Sequence, residues 1–512
     1  MNCRQLFWVV GFLALSWCFV NVGRTAVDPV ESSAPQAAPQ ARTAHPNIIF
    51  ILTDDMALHD VEFMPKLKKL LVEEGTTVSN YFVTNSQCCP SRSSILRGQY
   101  VHNHGVESNS VGFKRFYRLG NEASTVGTWL RAAGYRTGYM GKYLNGYPDA
   151  HNKIYMPPGW DEWFVAIGGG GYKEFDYILN ENGKLVKYGR ADHDYLTDVI
   201  AAKTVGFIEE AVEKKKPFFL HLAPFAPHEP SVPAPRHQTL FTDATAPRTA
   251  SFNSKNVSSK PAYIRALPLL SQKEIAKMDQ LYRRRLQSLQ AVDEMIKKII
   301  ETLERTGELR HTYIVFSSDN GFHLGQHRLL QGKQTPYDED IRVPLIIRGP
   351  DVPAHRSITQ LAVETDLAAT FADWASVVPP GFVDGRSLEP LLKKSLSPSL
   401  EWREGVLIEH QPGHEPFMSW FEKRLFMVKD KPRLTGYRAV RSSRYLFVQY
   451  QSGEREFYDL LHDPDELYNI VAKVDPIWIK RYSLWLDHLS NCKGPDCRSA
   501  ENARFGEMHT AP

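Results

Sequence analysis

The sequence predicts an α/β protein, in which helices sandwich a large, mostly parallel sheet and a smaller α+β domain follows at the C-terminus. Apolar runs of strand length alternate with longer segments of helical period, which is typical of this class. Three of the apolar runs end in polar clusters, and ligands of such sheets collect at the carboxyl ends of strands. After about residue 400 the runs become shorter, which indicates antiparallel strands.

The composition argues against a disordered protein and against a nucleic-acid-binding protein. The chain has 512 residues, is 42% hydrophobic and carries a formal net charge of +3. Such a chain can bury a large core. Because the charge is nearly balanced and no basic tract dominates, we expect no nucleic-acid partner.

Residues 1–26 have the layout of a signal peptide, with Arg4 ahead of the apolar run Leu6–Val20 and a polar end. The run is too short for a comfortable membrane span, although an uncleaved signal anchor is the alternative. Residues 27–46 are rich in Pro, Ala, Gln and Ser without periodicity, which predicts a disordered linker. We therefore expect a soluble protein of the secretory route, without a stable membrane span.

The predicted larger domain covers residues 47–399. It opens with the continuous apolar run Asn47–Leu52, which favours a parallel strand buried on both faces. A helical pattern follows at Met64–Glu74, and a strand at Val78–Val83 leads towards Cys88. The later elements are a helix at Thr125–Ala133, a strand at Gly134–Met140, a helix at Tyr195–Lys214, a strand at Pro217–Leu222, a helix at Gln272–Arg305 and strands at Thr312–Ser318 and Val343–Ile347.

The predicted smaller domain covers residues 400–512. Its elements are short strands at Gly405–Glu409, Tyr437–Arg441 and Tyr445–Tyr450 and a helix at Pro476–Leu489.

The segment Asn85–Gly98 indicates a loop that runs into a helix. Pro90 suits a first helical turn, which would place Cys88 just ahead of a helix over Ser91–Leu96. The helix dipole and Arg92 would then stabilise an anion or an oxygen nucleophile at Cys88. The alternative is that Cys88 and its neighbour are ordinary half-buried or disulfide cysteines.

Asp54, Asp55, Asp319 and Asn320 follow the ends of two predicted strands. Together they offer four hard oxygen ligands, which suit Ca²⁺ or Mg²⁺. For each pair taken alone, capping or turn formation is the competing interpretation.

Two further features suit an oxidising compartment. Cys492 and Cys497 flank a Gly-Pro turn, which favours a small disulfide loop, with a zinc site as the alternative. Asn256-Val257-Ser258 is a candidate glycosylation acceptor in a polar loop.

The pattern Cys88-x-Pro90-Ser91-Arg92 resembles the signature of the type I sulfatases. The resemblance implies an alkaline-phosphatase-like fold and the conversion of Cys88 to formylglycine by a formylglycine-generating enzyme. It also implies one divalent cation per chain, usually Ca²⁺, bound by the modified Cys88 and by the four oxygen ligands named above. The family signature usually continues Leu-Thr-Gly, whereas this chain has Arg97 in place of the threonine.

The same resemblance implies that Lys142, His228 and Lys333 complete a set of residues that binds sulfate. His228 would protonate the leaving alcohol. One hydroxyl of the hydrated aldehyde, activated by the metal and Arg92, would attack sulfur, and collapse of the other would release sulfate. Many relatives carry a histidine where this chain has Leu144.

The histidines His102, His104, His323 and His327 lie near these motifs in the sequence, and each could line the pocket or serve the structure. Loops at Tyr155–Tyr172 and His237–Leu269 would set the choice of substrate.

Within the family the chain looks most like N-acetylglucosamine-6-sulfatases and the related extracellular glucosamine endosulfatases, without the long basic insertion of the latter. This implies an exo-acting or aryl-type sulfatase that acts on sulfated sugars of glycosaminoglycans or on aryl sulfates, either secreted or lysosomal. Two alternatives remain. One is a phosphoester or phosphonate hydrolase on the same scaffold, and the other is an inactive carbohydrate-binding homologue.

Overall fold

The computed structural model describes residues 45–148, 152–397, 399–412 and 433–503. The predicted signal peptide and all but the last two residues of the predicted linker lie outside the described residues. Within the described ranges, none of the helices has the length and apolar character needed to cross a membrane.

Eighteen strands are described. In chain order they are β1 (Asn47–Thr53), β2 (Thr76–Val78), β3 (Tyr81–Phe82), β4 (Arg136–Gly141), β5 (Glu162–Ala166), β6 (Ile178–Glu181), β7 (Lys184–Lys187), β8 (Phe218–Ala223), β9 (Thr312–Ser318), β10 (His323–Leu324), β11 (Gln331–Gly332), β12 (Leu345–Arg348), β13 (Arg356–Ile358), β14 (Ala362–Val363), β15 (Gly405–His410), β16 (Tyr437–Ser442), β17 (Tyr445–Tyr450) and β18 (Arg455–Asp459).

The α-helices are α1 (Pro65–Leu67), α2 (Cys88–Arg97), α3 (Val101–His104), α4 (Gly112–Arg118), α5 (Val126–Ala132), α6 (Leu196–Glu213), α7 (Ala262–Arg265), α8 (Gln272–Arg305), α9 (Asp338–Ile341), α10 (Asp366–Trp374), α11 (Glu389–Leu392), α12 (Pro476–Leu489) and α13 (Pro495–Glu501). A π-helical turn at Lys68–Val72 continues α1, and short 3-10 helices lie at Leu58–Phe63, Asn121–Ala123, Gly168–Lys173, Asp192–Asp194, Pro235–His237 and Leu309–His311.

The large sheet has ten strands in the order β13-β2-β12-β9-β1-β8-β4-β5-β6-β7. Its five central strands, from β9 to β5, run parallel to one another, while β12, β6 and β7 pair antiparallel with their neighbours. The sheet is therefore mixed, with the parallel centre that the sequence predicts.

Strand β1 is buried on both faces because its alternate side chains enter two different cores. Ile49 and Ile51 pack with apolar side chains of α6 and α8 on one face. Ile48 and Phe50 pack with α5 and α10 on the other face. Helix α8 begins at a capping box, in which the Ser271 hydroxyl accepts the Glu274 N–H and the Glu274 carboxylate accepts the Ser271 N–H.

The C-terminal part forms a separate antiparallel sheet in the order β15-β16-β17-β18, with α12 packed on one face. It is fixed to the larger part by a buried ionic group. Arg403 donates two hydrogen bonds of 2.5 and 2.6 Å to Asp366 and lies 3.0 Å from the Glu501 carboxylate. The smaller α+β region is thus confirmed, whereas its boundary between residues 399 and 400 stays a prediction.

The predicted elements agree with the structure at most positions, and two need correction. Val78–Val83 is wrong as one strand, because β2 and β3 belong to different sheets and a bend separates them. The helix predicted over Ser91–Leu96 begins earlier, at Cys88, with Gln87 in extended conformation as its N-cap. The disulfide predicted between Cys492 and Cys497 is present, so the zinc alternative is wrong.

Candidate active site

Adjacent parallel strands bring most of the predicted site residues to one edge of the sheet. Asp54 and Asp55 follow β1, Asp319 follows β9 and Lys142 follows β4. Backbone hydrogen bonds continue past the strand ends, since the Asp319 N–H donates to Thr53 and the Lys142 N–H donates to Ala223. The carboxyl ends of these strands therefore carry the polar side chains side by side.

Helix α2 presents Cys88 to this edge from its first residue. The Cys88 Sγ lies 3.4 Å from Asp54 Oδ1 and 3.7 Å from Asp55 Oδ1. Because Cys88 is the first helical residue, the positive end of the helix dipole lies at its backbone. One turn further on, the Arg92 guanidinium lies 3.7 Å from Asp54 and donates a hydrogen bond to Asp319.

Three buried cations face three buried carboxylates. Lys142 donates a hydrogen bond of 2.6 Å to Asp54, and Arg92 donates one of 2.8 Å to Asp319. Lys333 donates to Asp55 and lies 2.7 Å from the Cys88 sulfur. Charges buried in this way are tolerated because they are paired and hydrogen-bonded. Since the charges of these six side chains cancel, a bound divalent cation would leave the cluster positive and suited to an anion.

Electrostatics fixes the protonation of these groups. Burial raises the pKa of the Asp54 carboxyl, but Lys142 and His228 outweigh it and hold that pKa well below its usual range. Burial raises the pKa of the Cys88 thiol far above its usual range. Asp54 is therefore an anion, whereas unmodified Cys88 is a protonated thiol and a weak nucleophile.

The donor set fits a hard divalent cation. Oxygens of Asp54, Asp55 and Asn320 converge on one place, and the Lys333 ammonium contacts two of these side chains, Asp55 and, at 3.3 Å, Asn320. An ammonium among these oxygens shows that they suit a positive charge. Asp319 joins them, since its Oδ1 accepts the Asp55 N–H at 3.0 Å. Oxygen ligands of this kind suit Ca²⁺ or Mg²⁺.

One hydrogen-bond donor of the cluster, on Arg92, is available to bind an anion. The NH2 group of Arg92 is buried and has no hydrogen-bond partner among the described residues, although it lies 3.7 Å from Asp54 Oδ1. A buried donor without an acceptor is costly unless a ligand completes it. The position beside Cys88 therefore suits an oxyanion.

His228 and Tyr172 border the charged cluster. The Nε2 of His228 lies 3.5 Å from Asp55, and its Nδ1 lies 2.7 Å from the backbone carbonyl of Glu229. The Tyr172 ring lies 4.6 Å from the His228 ring, and the Lys142 Nζ lies 5.1 Å from the centre of the Tyr172 ring. The sequence places Tyr172 only in a loop expected to set the choice of substrate. The run of glycines before Tyr172 is the sequence feature that marks this loop.

Glu364 is a buried residue that sequence reasoning missed. Its carboxylate accepts hydrogen bonds of 2.5 Å from the Ser91 hydroxyl and 2.8 Å from the Thr84 N–H. It thereby ties the first turn of α2 to the segment that leads into it. No motif identifies this residue, because its partners lie more than 270 positions earlier in the chain.

His102 and His104 serve the structure. His102 bonds to Glu409 of β15 at 2.9 Å and to the carbonyl of Cys492 at 3.0 Å. His104 is buried against Ser94 of α2, at 3.0 Å from its hydroxyl, and burial lowers the pKa of His104 to about 3.

The other open positions lie outside the charged cluster as well. His323 bonds to Asp340, and His327 packs against Tyr337. Arg97, which replaces the usual threonine of the family signature, donates a hydrogen bond of 2.6 Å to the Ser124 carbonyl. Its guanidinium lies over the Phe382 ring. Leu144 is part of the apolar core.

Comparison with known proteins gives the family. The Sulfatase family matches residues 46–377, and the family described as N-sulphoglucosamine sulphohydrolase, C-terminal, matches residues 325–481. The fold is of the α/β class, and a cluster of charged side chains lies at the carboxyl edge of its parallel strands. The chain belongs to the sulfatase family, and it is a sulfatase enzyme.

Named relatives agree with this. The chain is 35% identical over 485 residues to human N-acetylglucosamine-6-sulfatase, covering 90% of this chain and 87% of that protein. It is 38% identical over 397 residues to an extracellular sulfatase Sulf-1 homolog of Caenorhabditis elegans. That match covers 75% of this chain but only 55% of the nematode protein, so the chain spans about half its length.

A solved structure confirms the fold. The chain resembles BT4656, solved in complex with its substrate D-glucosamine-2-N,6-O-disulfate, with a TM-score of 0.71 and 25% identity. The match covers 86% of this chain and 97% of that one. The alkaline-phosphatase-like sulfatase fold expected from the sequence is thus confirmed.

Glu364 predicts a specific pH dependence of stability. Burial raises the pKa of its carboxyl to about 8. The contribution of a group with a raised folded pKa is fully present below its unfolded pKa and is lost as pH rises through the folded pKa. The Glu364 carboxyl should therefore lower the free energy of unfolding of the unaltered protein by up to about 4 kcal/mol as pH rises from 4.5 to 8. We expect Glu364→Gln to lack this decrease.

Denaturant unfolding at several pH values, at one fixed Ca²⁺ concentration, measures this slope. Glu304→Gln, which changes an exposed glutamate of α8, should keep the slope of the unaltered protein. Equal slopes for Glu364→Gln and the unaltered protein would contradict the raised pKa.

Proposed function

We propose that the chain hydrolyses sulfate monoesters of glucosamine-type sugars through a formylglycine made from Cys88 and with a divalent cation. The observation that carries the proposal is the position of Cys88. It begins a helix, contacts Asp54 and Asp55 and lies 2.7 Å from Lys333. As a buried, protonated thiol it would be a poor nucleophile, and conversion to an aldehyde hydrate would remove that limitation.

The side chains around Cys88 supply charge compensation. When both groups are present, the hydrated aldehyde would supply the attacking hydroxyl and the cation would act as a Lewis acid on the sulfate. Arg92, Lys142 and Lys333 would bind the sulfate oxygens and offset the charge that develops on them. The unpartnered NH2 of Arg92 supports this role.

His228 would transfer the proton to the leaving alcohol. The carbonyl of Glu229 can only accept a hydrogen bond, so the His228 Nδ1 carries a proton. The Nε2 atom then faces the site, where a second proton could be given to the leaving oxygen. The Tyr172 ring packs against the imidazole of His228.

Calcium is the cation that we propose for the oxygen cluster. Its ligands would be Asp54, Asp55, Asp319 and Asn320, together with the modified Cys88. Carboxylate and amide oxygens of this kind favour hard cations, and the flexible coordination of Ca²⁺ tolerates a mixed set of ligands better than Mg²⁺ does.

A glucosamine-type substrate is supported by two relatives. Human N-acetylglucosamine-6-sulfatase is similar over most of the chain, and the similar solved structure holds a sulfated D-glucosamine. The alternative substrates, aryl sulfates, phosphoesters and phosphonates, are separated from sugar sulfates by comparing kcat/KM of the unaltered enzyme on each class.

The secretory route is supported by the Cys492–Cys497 disulfide, which is favoured in an oxidising compartment, and by the name of the nematode relative. We propose a secreted or lysosomal enzyme that meets a formylglycine-generating enzyme during synthesis. The Asn256 side chain, exposed with its Oδ1 accepting the Ser258 N–H at 3.0 Å, remains the proposed glycosylation site.

Cys88→Ala tests the proposed nucleophile. We expect a loss of turnover on 6-sulfated N-acetylglucosamine of at least about 1000-fold, because no other residue can form the hydrate. Peptide mass spectrometry of protein from its native source should show an aldehyde at Cys88, and the same peptide map reports signal cleavage and glycosylation at Asn256.

Cys89→Ala is the matched control, since it removes the adjacent buried thiol and should keep activity. An unmodified thiol at Cys88 in fully active protein would refute the mechanism. Higher kcat/KM on matched phosphate or phosphonate esters than on sulfate esters would favour the phosphorus alternative, and sugar binding without turnover of any ester would favour the inactive homologue.

His228→Ala tests the proton donor through the leaving group. We expect a loss of about 100-fold or more in kcat on sugar sulfates, and a much smaller loss on aryl sulfates whose phenols need no proton to leave. His193→Ala, at a side chain 86% exposed, should change neither substrate. Equal losses on both ester classes would show that His228 does not act as the general acid.

Asn320→Ala tests the cation site. We expect Ca²⁺ binding measured by calorimetry to weaken at least about tenfold, because one oxygen ligand is lost. Asn152→Ala, at an exposed asparagine, should bind Ca²⁺ like the unaltered protein. Unchanged affinity in Asn320→Ala would exclude this asparagine as a ligand.

A further inference from the structure

We propose that the chain holds a second metal site, in which His327, Glu339 and Glu466 bind a divalent cation of the zinc class. The site lies apart from the catalytic cluster and shares no residue with it. The proposal does not depend on the sulfate chemistry.

The three ligands come from segments far apart in the sequence. His327 lies between β10 and β11, Glu339 lies in α9, and Glu466 follows β18 of the C-terminal sheet. One ligand atom from each, an imidazole nitrogen or a carboxylate oxygen, lies within 4.8 Å of the other two. Small side-chain movements would bring these atoms to a common ion at about 2.0–2.2 Å.

Two of the ligands are buried, and each has side-chain atoms without a hydrogen-bond partner among the described residues. His327 is 1% exposed, and neither of its ring nitrogens has a hydrogen-bond partner among the described residues. Glu466 is also 1% exposed; its Oε2 accepts the Asp338 N–H at 3.2 Å, but its Oε1 has no described partner. An imidazole normally has at least one partner when buried, so this pair calls for a ligand that the described residues do not supply.

The nearby ammonium of Lys260 is engaged elsewhere. It donates to the Tyr458 hydroxyl at 2.9 Å and to the backbone carbonyl of Glu466, and it lies 4.0 Å from the Glu456 carboxylate. In the described part of the chain, the His327 nitrogens and the Glu466 Oε1 therefore remain without a hydrogen-bond partner.

The electrostatics of the cluster agree with this geometry. Burial and the charge of Asp338 raise the pKa of Glu466 well above its usual range, and burial raises the pKa of Glu339 to about 7. Burial and Lys260 lower the pKa of His327 well below its usual range. The imidazole is thus already in the neutral form that binds metals, and a cation would take the place of protons on the two carboxyl groups.

The ligand types select the class of metal. One imidazole and two carboxylates suit Zn²⁺, whereas Ca²⁺ and Mg²⁺ prefer oxygen ligands alone. A bound ion would join the loop between β10 and β11 to the C-terminal sheet, and Lys333 directly follows β11, six residues after His327. It would therefore act on stability and on the position of that loop.

A zinc titration tests the site. Protein stripped with a chelator is returned to excess Ca²⁺, which occupies the catalytic cluster, and is then titrated with Zn²⁺ alone by calorimetry, with bound zinc counted by elemental analysis. We expect one zinc ion per chain and a rise of the thermal midpoint with zinc. Glu466→Gln and His327→Asn should each weaken zinc binding at least about tenfold.

The control variant matches the test variant in its substitution and in its backbone conformation. Asn tolerates the left-handed backbone of His327, which has φ of 53°, and His355→Asn makes the same change at an exposed histidine with φ of 52°. His355→Asn should bind zinc normally. If His327→Asn does not fold, Glu466→Gln, which keeps the side-chain shape, decides alone.

Two results would overturn the proposal. One is the absence of zinc binding in excess Ca²⁺, which would mean that ordered water satisfies the cluster. The other is zinc binding that Asp54→Asn abolishes and Glu466→Gln leaves unchanged, because that zinc would belong to the catalytic edge.

Discussion

The pairing of buried carboxylates with buried cations at the end of β1 is the constraint on which the rest of the structure depends. Asp54 has 0% of its surface exposed, so its charge must be compensated within the protein. Lys142 from β4 and Arg92 from α2 supply that compensation, and each comes from a different element. The order of strands in the sheet and the docking of α2 are therefore both needed for the charge to be tolerated.

Contacts of other α2 side chains hold Cys88 in this cluster. Glu364 bonds to Ser91 in the first turn, and His104 bonds to Ser94 in the second. These contacts fix the rotation of the helix, which determines where its first residue points. A small rotation would separate Cys88 from the carboxylates, so residues that never touch a substrate control the geometry of the site.

The sequence was informative where chemistry and local pattern coincide. The strands that deliver Asp54 and Asp319 are continuous apolar runs, and Asp319 directly follows a run whose bounds agree with the structure. It was not informative for Glu364 or for the structural roles of His102 and His104, because these depend on partners far away in the chain. The start of α2 was misjudged for a related reason: Pro90 is compatible with several positions of the first turn, and tertiary contacts select one.

The antiparallel C-terminal sheet supports the active site, although its described residues contribute no side chain to the charged cluster. Glu409 of β15 accepts hydrogen bonds from His102, which lies in the segment after α2. The hydroxyl of Tyr437 in β16 donates a hydrogen bond of 3.0 Å to the carbonyl of Gln334, which directly follows Lys333. Both the helix that presents Cys88 and the loop that presents Lys333 are therefore fastened to the same small sheet. Because the two groups lie 2.7 Å apart, any loosening of this sheet would disturb their separation before it disturbed the parallel core.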